Sequence, residues 1–223
     1  MHQAKTGRRA TNHLTNTSYN KTPLTPNQED PLEGVIVWKT FFGNEKPVEI
    51  GVGSGRGLFL VNAGLATPGV NYLGIEIDYK EGRRAARRLQ KRQISNVRVL
   101  GGDVRTAFEK QIRPGSVSAV HVYFPDPWWK RKHKKRRVFT DLFVEQIAAL
   151  LKPDGLVHAW SDVEEYFSVI SSLMEHHFRF EKIESPCERQ PQHDLDYQTS
   201  FDRKKRQTGC VIYRGLWRLI AKT

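Results

Sequence analysis

Val48-Glu-Ile-Gly-Val-Gly-Ser-Gly-Arg-Gly57 decides the fold. Val48 and Ile50 alternate as in a strand, Gly51, Gly53 and Gly55 form a loop, and Leu58 to Ala66 continues as a helix. A strand that opens through glycines into a helix lets a backbone come close to a ligand at the helix N-terminus. Outward from it the pattern repeats. Val70 to Ile77 reads as a second strand, residues 79–92 as a helix, Val97 to Leu100 as a third strand and Val104 to Ile112 as a short helix. Ser118 to Phe124 is the fourth strand, followed by a helix over Val138 to Leu151 that Lys152-Pro-Asp-Gly155 stops. Leu156 to Trp160 is the fifth, Val163 to His176 a helix, and Phe178 to Ile183 and Cys210 to Ile220 close as strands. Strands alternating with helices predict an α/β doubly wound, mostly parallel sheet with a late antiparallel strand and a ligand site at its carboxyl edge. Leu32 to Phe42 is an apolar lead-in, a strand or a helix. Residues 1–30, rich in Thr, Asn, Gln and Pro, bury too little to order themselves. They read as a basic, polar tail before one domain over residues 31–223.

The loop does not have the G-x-G-x-x-G spacing of a nicotinamide site. Counted from Gly51 the third position is Arg56, and from Gly53 it is Leu58. Instead an acid, Glu49, stands on the strand itself. A carboxylate there repels a pyrophosphate but holds a cation, and S-adenosylmethionine carries an ammonium and a sulfonium. Glu76 ends the second strand, where an acid takes the hydroxyls of a ribose; Asp78 is the second choice for that role. Asp103 ends the third strand, placed to accept from an adenine amino group, or else to cap the next helix.

A second informative stretch is Tyr123-Phe-Pro-Asp-Pro-Trp-Trp-Lys130. In the strand before it Val120, Val122 and Phe124 alternate with Ala119, His121 and Tyr123. Pro125 and Pro127 forbid ladder hydrogen bonds and hold Asp126 extended and exposed past the strand end. Seven Lys or Arg then fill the eight positions 130–137. A carboxylate on a proline frame, flat rings and dense positive charge suit a polyanion whose base is presented for chemistry. The net charge of +12 also points to an anionic partner. On the helix at 79–92, Arg83, Arg84, Arg87, Arg88, Lys91 and Arg92 form two adjacent i,i+4 rows, leaving Ala85, Ala86 and Leu89 for the inner side. Such like-charge rows are relieved by phosphates.

Cys187 and Cys210 are the only cysteines, with no CxxC and no histidine at ligand spacing, so neither a disulfide scaffold nor a metal site is expected. No apolar run approaches transmembrane length and the N-terminus has no signal-peptide core. A cytoplasmic protein without a membrane contact is the expectation.

With these residues together, the sequence from about residue 47 to the C-terminus resembles the bacterial tRNA (guanine-N7-)-methyltransferases, the TrmB family. The signature is Phe124-Pro-Asp-Pro-Trp-Trp-Lys130 followed by its basic run. The resemblance implies a class I methyltransferase fold and transfer of a methyl group from S-adenosylmethionine to N7 of a guanine in the tRNA variable loop. It implies cofactor contacts from Glu49, Gly51, Gly53, Gly55, Glu76, Asp103 and Asp126, with Asp126 also catalytic. It implies substrate contacts from Lys130, Asp162 and Thr199-Ser200-Phe201-Asp202, and tRNA as partner, with the chain a monomer or a homodimer and no obligate protein partner. Phosphates are expected at Arg84, Arg88, Arg92, Lys132, Lys135, Arg136 and Arg137.

The chain departs from the family in four places. Asp202 replaces a Glu, one methylene longer; Trp129 stands where many members have His; Lys132 replaces the usual Arg before His133; and Arg203 to Gly209 is a basic variant of the link to the last strand. Asp162 reads equally as a substrate contact and as a helix cap paired with Glu165. Two other functions stay open: a methyltransferase for a different RNA, and an RNA-binding module with an inert glycine loop.

Overall fold

The computed structural model describes residues 34–185 and 199–220. The expected tail at 1–30 lies outside them. Among the described residues seven strands form one sheet in the order β3-β2-β1-β4-β5-β7-β6. They are β1 (Val48–Val52), β2 (Asn71–Glu76), β3 (Val97–Gly101), β4 (Val117–Tyr123), β5 (Leu151–Ser161), β6 (Phe180–Ile183) and β7 (Tyr213–Leu219). β1 pairs in parallel with β2 and β4, β2 with β3, and β4 with β5. β7 runs antiparallel between β5 and β6, as its late position predicts. The helices are α1 (Trp38–Phe42), α2 (Leu58–Ala66), α3 (Tyr79–Lys91), α4 (Val104–Lys110), α5 (Asp141–Leu150), α6 (Glu164–His176) and α7 (Ser200–Gln207). The lead-in thus takes its helical alternative, with Ile36 N–H donating to the Gln111 carbonyl at 2.7 Å.

The sheet has a core on each face. On one, Ile50, Val52, Val120, Val122, Val157 and Ala159 meet Phe108 of α4, Phe143 and Ile147 of α5, and Tyr166 and Ile170 of α6. On the other, Phe59 and Leu60 of α2 and Ala85 and Leu89 of α3 cover Tyr72, Val97 and Val99. The period-2 alternation of strands and the i,i+3/i+4 spacing of helices give this two-sided burial. Gly57 joins α2 to α3: its φ is +73° and a Cβ there would come within 2.8 Å of the Ala85 Cβ. Any side chain would strain the turn and push the helices apart.

Several boundaries differ from the sequence reading. β4 ends at Tyr123; Phe124 still donates its N–H to the Trp160 carbonyl of β5 at 2.8 Å, but its φ of 52° turns the chain out of the strand. α5 begins at Asp141, because the Thr140 hydroxyl caps it by accepting from Phe143 N–H at 3.2 Å, although Val138 and Phe139 fit the helical spacing. α5 stops at Leu150, just before Lys152-Pro-Asp-Gly155, but that segment belongs to β5: Leu151 both caps α5 and opens β5, and the next residues bulge out, with Asp154 at φ 61°. Phe178 is 71% exposed and precedes β6. Arg131–Arg136 forms a 3-10 helix, and Arg203 to Gln207 belongs to α7.

Candidate active site

The strand order reverses between β1 and β4, so the loops after these neighbouring strands open a crevice at the carboxyl edge. The glycine loop forms one wall. Gly53 and Ser54 donate backbone N–H bonds to the Ile75 carbonyl at 2.9 and 3.3 Å, which ties the loop to β2. Gly53 and Gly55 have φ values of +64° and +51°, and a Cβ on either would meet nothing within 4 Å. That open, side-chain-free backbone is a cradle a ligand can fill. Gly51 is tighter, with a Cβ 3.3 Å from the Phe59 ring.

The acids around the cradle take different positions. Glu76, 7% exposed at the end of β2, accepts from Gly55 N–H at 2.6 Å through Oε2 and from Asp78 N–H at 2.8 Å through Oε1. It fastens the loop and stands beside the cradle. Asp78 instead caps α3, accepting from Lys80 and Glu81 N–H at 2.8 and 3.2 Å, so the two candidates for the ribose role separate. Asp103 caps α4, its Oδ1 accepting from Arg105 and Thr106 N–H at 2.9 and 3.1 Å. It is exposed, and the capping alternative is realised.

Glu49 has a partner the sequence reading missed. Its Oε2 lies 2.8 Å from His121 Nε2, and His121 Nδ1 lies 2.9 Å from the Tyr123 hydroxyl. The rings of Phe59 and His158 lie 4.8 and 4.6 Å from the imidazole. Burial, then the nearby Glu49 carboxylate, pushes the Tyr123 hydroxyl pKa up, so it keeps its proton. Burial, then His121, pushes His158 down to about 3, so that ring is neutral. Only the inter-strand register, with Gly51 opposite His121 and His121 opposite His158, brings these groups together. No spacing within one segment signals it.

The second wall is the loop after β4. Asp126 is exposed, and the residues flanking the two prolines, Phe124 and Trp128, have φ values of 52° and 39°. The loop is clamped from outside: Arg137 Nε donates to the Pro127 carbonyl at 2.7 Å, and its guanidinium lies 4.8 Å from the Tyr166 ring centroid. Arg105 Nη2 donates to the Arg137 carbonyl at 2.6 Å. The Arg137 side chain is thus engaged with this loop, besides its expected place in the phosphate patch. Arg136 lies 4.9 Å over the Trp128 ring, while Lys130, Lys132 and Lys135 are exposed. Asp126, Pro127, Trp128, Trp129, Lys130 and His133 line an open cleft of about 430 Å³.

α7 closes the far side. Thr199 caps it by accepting from Asp202 N–H at 2.9 Å. Asp202, 1% exposed, takes Arg206 Nε at 2.7 Å, so the residue that departs from the family pattern has its carboxylate turned under the helix. Ser200 and Phe201 begin the same helix. Asp162 does not cap α6, whose N-cap Val163 makes no side-chain bond; it pairs with Lys205 at 2.7 Å and draws the Lys205 pKa up through that hydrogen bond. The ion pair pins α7 to the end of β5. On α3, Ala85, Ala86 and Leu89 are buried and Arg83, Arg84, Arg87, Lys91 and Arg92 exposed. Arg84 pairs with Glu81, which also accepts from Arg56 Nε at 2.9 Å.

A family model described as "Putative methyltransferase" matches residues 45–215. A tRNA (guanine-N(7)-)-methyltransferase of Rhodopirellula baltica is 40% identical over 207 residues, 90% of this chain and 74% of its own length. The chain belongs to the tRNA (guanine-N7-)-methyltransferase family. A second member of that name, from Hydrogenovibrio crunogenus, is 35% identical over 86% of this chain and 77% of its own length. Among solved structures, a 16S rRNA (adenine(1408)-N(1))-methyltransferase from Catenulisporales acidiphilia has a TM-score of 0.57 at 15% identity, covering 87% of this chain and 93% of that one. That likeness carries the fold, a class I S-adenosylmethionine-dependent methyltransferase of Rossmann-like topology. In this tRNA (guanine-N7-)-methyltransferase family member, the expected cofactor residues Glu49, Gly51, Gly53, Gly55, Glu76 and Asp103 gather on β1 to β3 and the loops that follow. Asp126 stands in the loop after β4, the strand that neighbours β1 at the switch. Arg84 and Arg88 lie on α3 and Arg92 follows at its C-terminus, with Arg84 joined through Glu81 to Arg56 of the glycine loop.

Proposed function

We propose that this enzyme methylates N7 of a guanine in the tRNA variable loop, with Asp126 as its catalytic residue. The observation that carries the reading is a side-chain-free glycine cradle after β1 and an aromatic, cation-rimmed cleft that contains Asp126 after β4, the two strands that adjoin at the switch. S-adenosylmethionine, when bound, supplies an electrophilic methyl on a sulfonium. The open backbone at Gly53 and Gly55, with the carboxylates of Glu76, Asp103 and Glu49 beside it, has the donor set to hold that molecule: an acid for the ribose, an acid for the adenine and an acid for the ammonium. Guanine N7 already has a lone pair, so no proton leaves before attack. Asp126 can accept from guanine N1–H or N2–H and so orient the base, and its charge offsets the positive charge that develops on the purine. Trp128 and Trp129 offer flat faces to a base drawn out of the tRNA stack. Lys130, Lys132, Lys135 and Arg136 supply charge for phosphates. Asp162 and the segment Thr199-Ser200-Phe201-Asp202 border the substrate side.

Among the described residues no helix is long and apolar enough to cross a membrane. We assign the enzyme to the cytoplasm, where tRNA is, acting as a monomer or a homodimer without an obligate protein partner. The test is incubation of a tRNA transcript with enzyme and methyl-labelled S-adenosylmethionine, followed by nuclease digestion and mapping of the labelled base. The expected result is 7-methylguanine at one variable-loop position. Label on another base, or only on ribosomal RNA, overturns the reading.

A further inference from the structure

His121 is buried in the middle of the sheet with both ring nitrogens engaged. Its side chain is 8% exposed, while that of Glu49, its partner, is 22% exposed. A carboxylate can only accept, so His121 Nε2 carries the proton and donates to Glu49 Oε2 across 2.8 Å. Nδ1 is then the acceptor, and the Tyr123 hydroxyl, 2.9 Å away, donates to it. The result is a one-way chain, Tyr123 O–H to Nδ1 and Nε2–H to Glu49, in which each proton is fixed by the next acceptor. The ring cannot turn freely, because Phe59 lies 4.8 Å from one side and the His158 ring stacks at 4.6 Å with an interplanar angle of 19°. Among the described residues Oε1 of Glu49 makes no hydrogen bond, which leaves that oxygen for a ligand.

We propose that His121 is a positioning residue for the cofactor site: it locks the Glu49 carboxylate in the rotamer that receives the ammonium group of S-adenosylmethionine, and Tyr123 sets the tautomer in which it does so. This rests on the reading of Glu49 as an ammonium acceptor. The groups facing the imidazole are Glu49 on β1, Tyr123 on β4, His158 on β5 and the apolar Phe59 on α2; Tyr72 on β2 faces Glu49 electrostatically. Most of these carry no charge, so the effect acts through orientation. A preoriented carboxylate spares the ligand the cost of immobilising a flexible acid.

The test is calorimetric titration of wild type, His121→Phe, His121→Gln and Glu49→Gln with S-adenosylhomocysteine, which keeps the ammonium, and with methylthioadenosine, which lacks it. His121→Phe should weaken S-adenosylhomocysteine about tenfold, the scale of one charge-assisted hydrogen bond poorly directed. Methylthioadenosine affinity should not change, and Gln, which can still donate, should restore most of the loss. In turnover the KM for S-adenosylmethionine should rise in the same proportion while kcat at saturation holds. Equal losses for both ligands would make His121 a packing residue and overturn the proposal. Unchanged S-adenosylhomocysteine affinity in His121→Phe, with a loss in Glu49→Gln, also overturns it. No effect in either variant overturns the reading of Glu49 itself. In the wild-type protein, ¹⁵N-resolved imidazole spectra should show the Nε2–H tautomer, and an Nδ1–H form refutes the chain independently of any variant.

Discussion

Asp126 sits in a loop bent at both ends by side-chain-bearing residues in left-handed backbone, Phe124 and Trp128. Each such residue costs on the order of 1–3 kcal/mol, which the surrounding contacts must offset. Arg137 supplies one of those contacts through the Pro127 carbonyl and the Tyr166 ring. Two predictions follow at this scale. Asp126→Asn should lower single-turnover methylation by about 10²–10⁴ at saturating ligands, the range for a positioned acid–base group, with tRNA affinity retained. A near-wild-type rate would leave Asp126 a loop residue. Arg137→Gln should also lower turnover, because the loop loses its clamp, yet leave the salt dependence of tRNA binding where it was. A fall in the salt slope would keep Arg137 in the phosphate-binding set. Glu76 and Asp78 make a further contrast: Glu76→Ala should weaken cofactor binding in calorimetry, whereas Asp78→Ala should cost about 1 kcal/mol of stability through the lost cap, read by urea unfolding, and spare the cofactor. Glu76 and Asp103 were legible in the sequence because each stands at or just after the end of a strand, and Glu49 because it precedes the glycine loop. His121 was not, since its partner Glu49 is on another strand and only the register joins them.

At the scale of elements, α2 occupies Leu58–Ala66 as its sequence predicts, because mostly apolar residues, with Asn62 as the polar exception, run between a glycine turn and Thr67. α3 shows its apolar side in Ala85, Ala86 and Leu89, and Asp78 marks its start. The basic 3-10 helix at Arg131–Arg136 could not be read, since a run of like charges has no apolar period to reveal its turns. α7 was hidden for the same reason; Asp202–Arg206 is an i,i+4 pair within it, while Asp162–Lys205, which ties it to the end of β5, forms only once the two meet. Neutralising Arg84, Arg88 and Arg92 together should weaken tRNA binding and flatten its salt slope, by up to about 0.9 per lost phosphate contact on duplex values. Cofactor affinity should persist, and an unchanged slope would make α3 a solvated face.

Across the whole molecule, the strand order sets the loops after β1–β3, to which we assign the cofactor, beside those after β4 and β5, to which we assign the substrate, at one switch point. The alternating pattern predicted that arrangement, because helices between strands leave few other topologies. The interior also holds a pH-sensitive group. His158 titrates near 3 in the folded chain, against about 6.5 when unfolded. Between those values the unfolded state binds the extra proton, so stability rises with pH. The contribution is complete above about pH 6.5 and is lost progressively as pH falls toward 3. Urea unfolding at pH 8 and pH 5 should show a steeper loss for wild type than for His158→Phe, and parallel losses would mean the ring titrates normally in the fold. The turn Lys152-Pro-Asp opposes all of this at the other end of β5. It is exposed and bulges out of the ladder before the buried Gly155, and Asp154 already holds a left-handed backbone. A dye, an affinity tag or a short peptide inserted there would sit on the side of the sheet away from the crevice, so the enzyme could be tethered or labelled while its catalytic edge stays open to solvent.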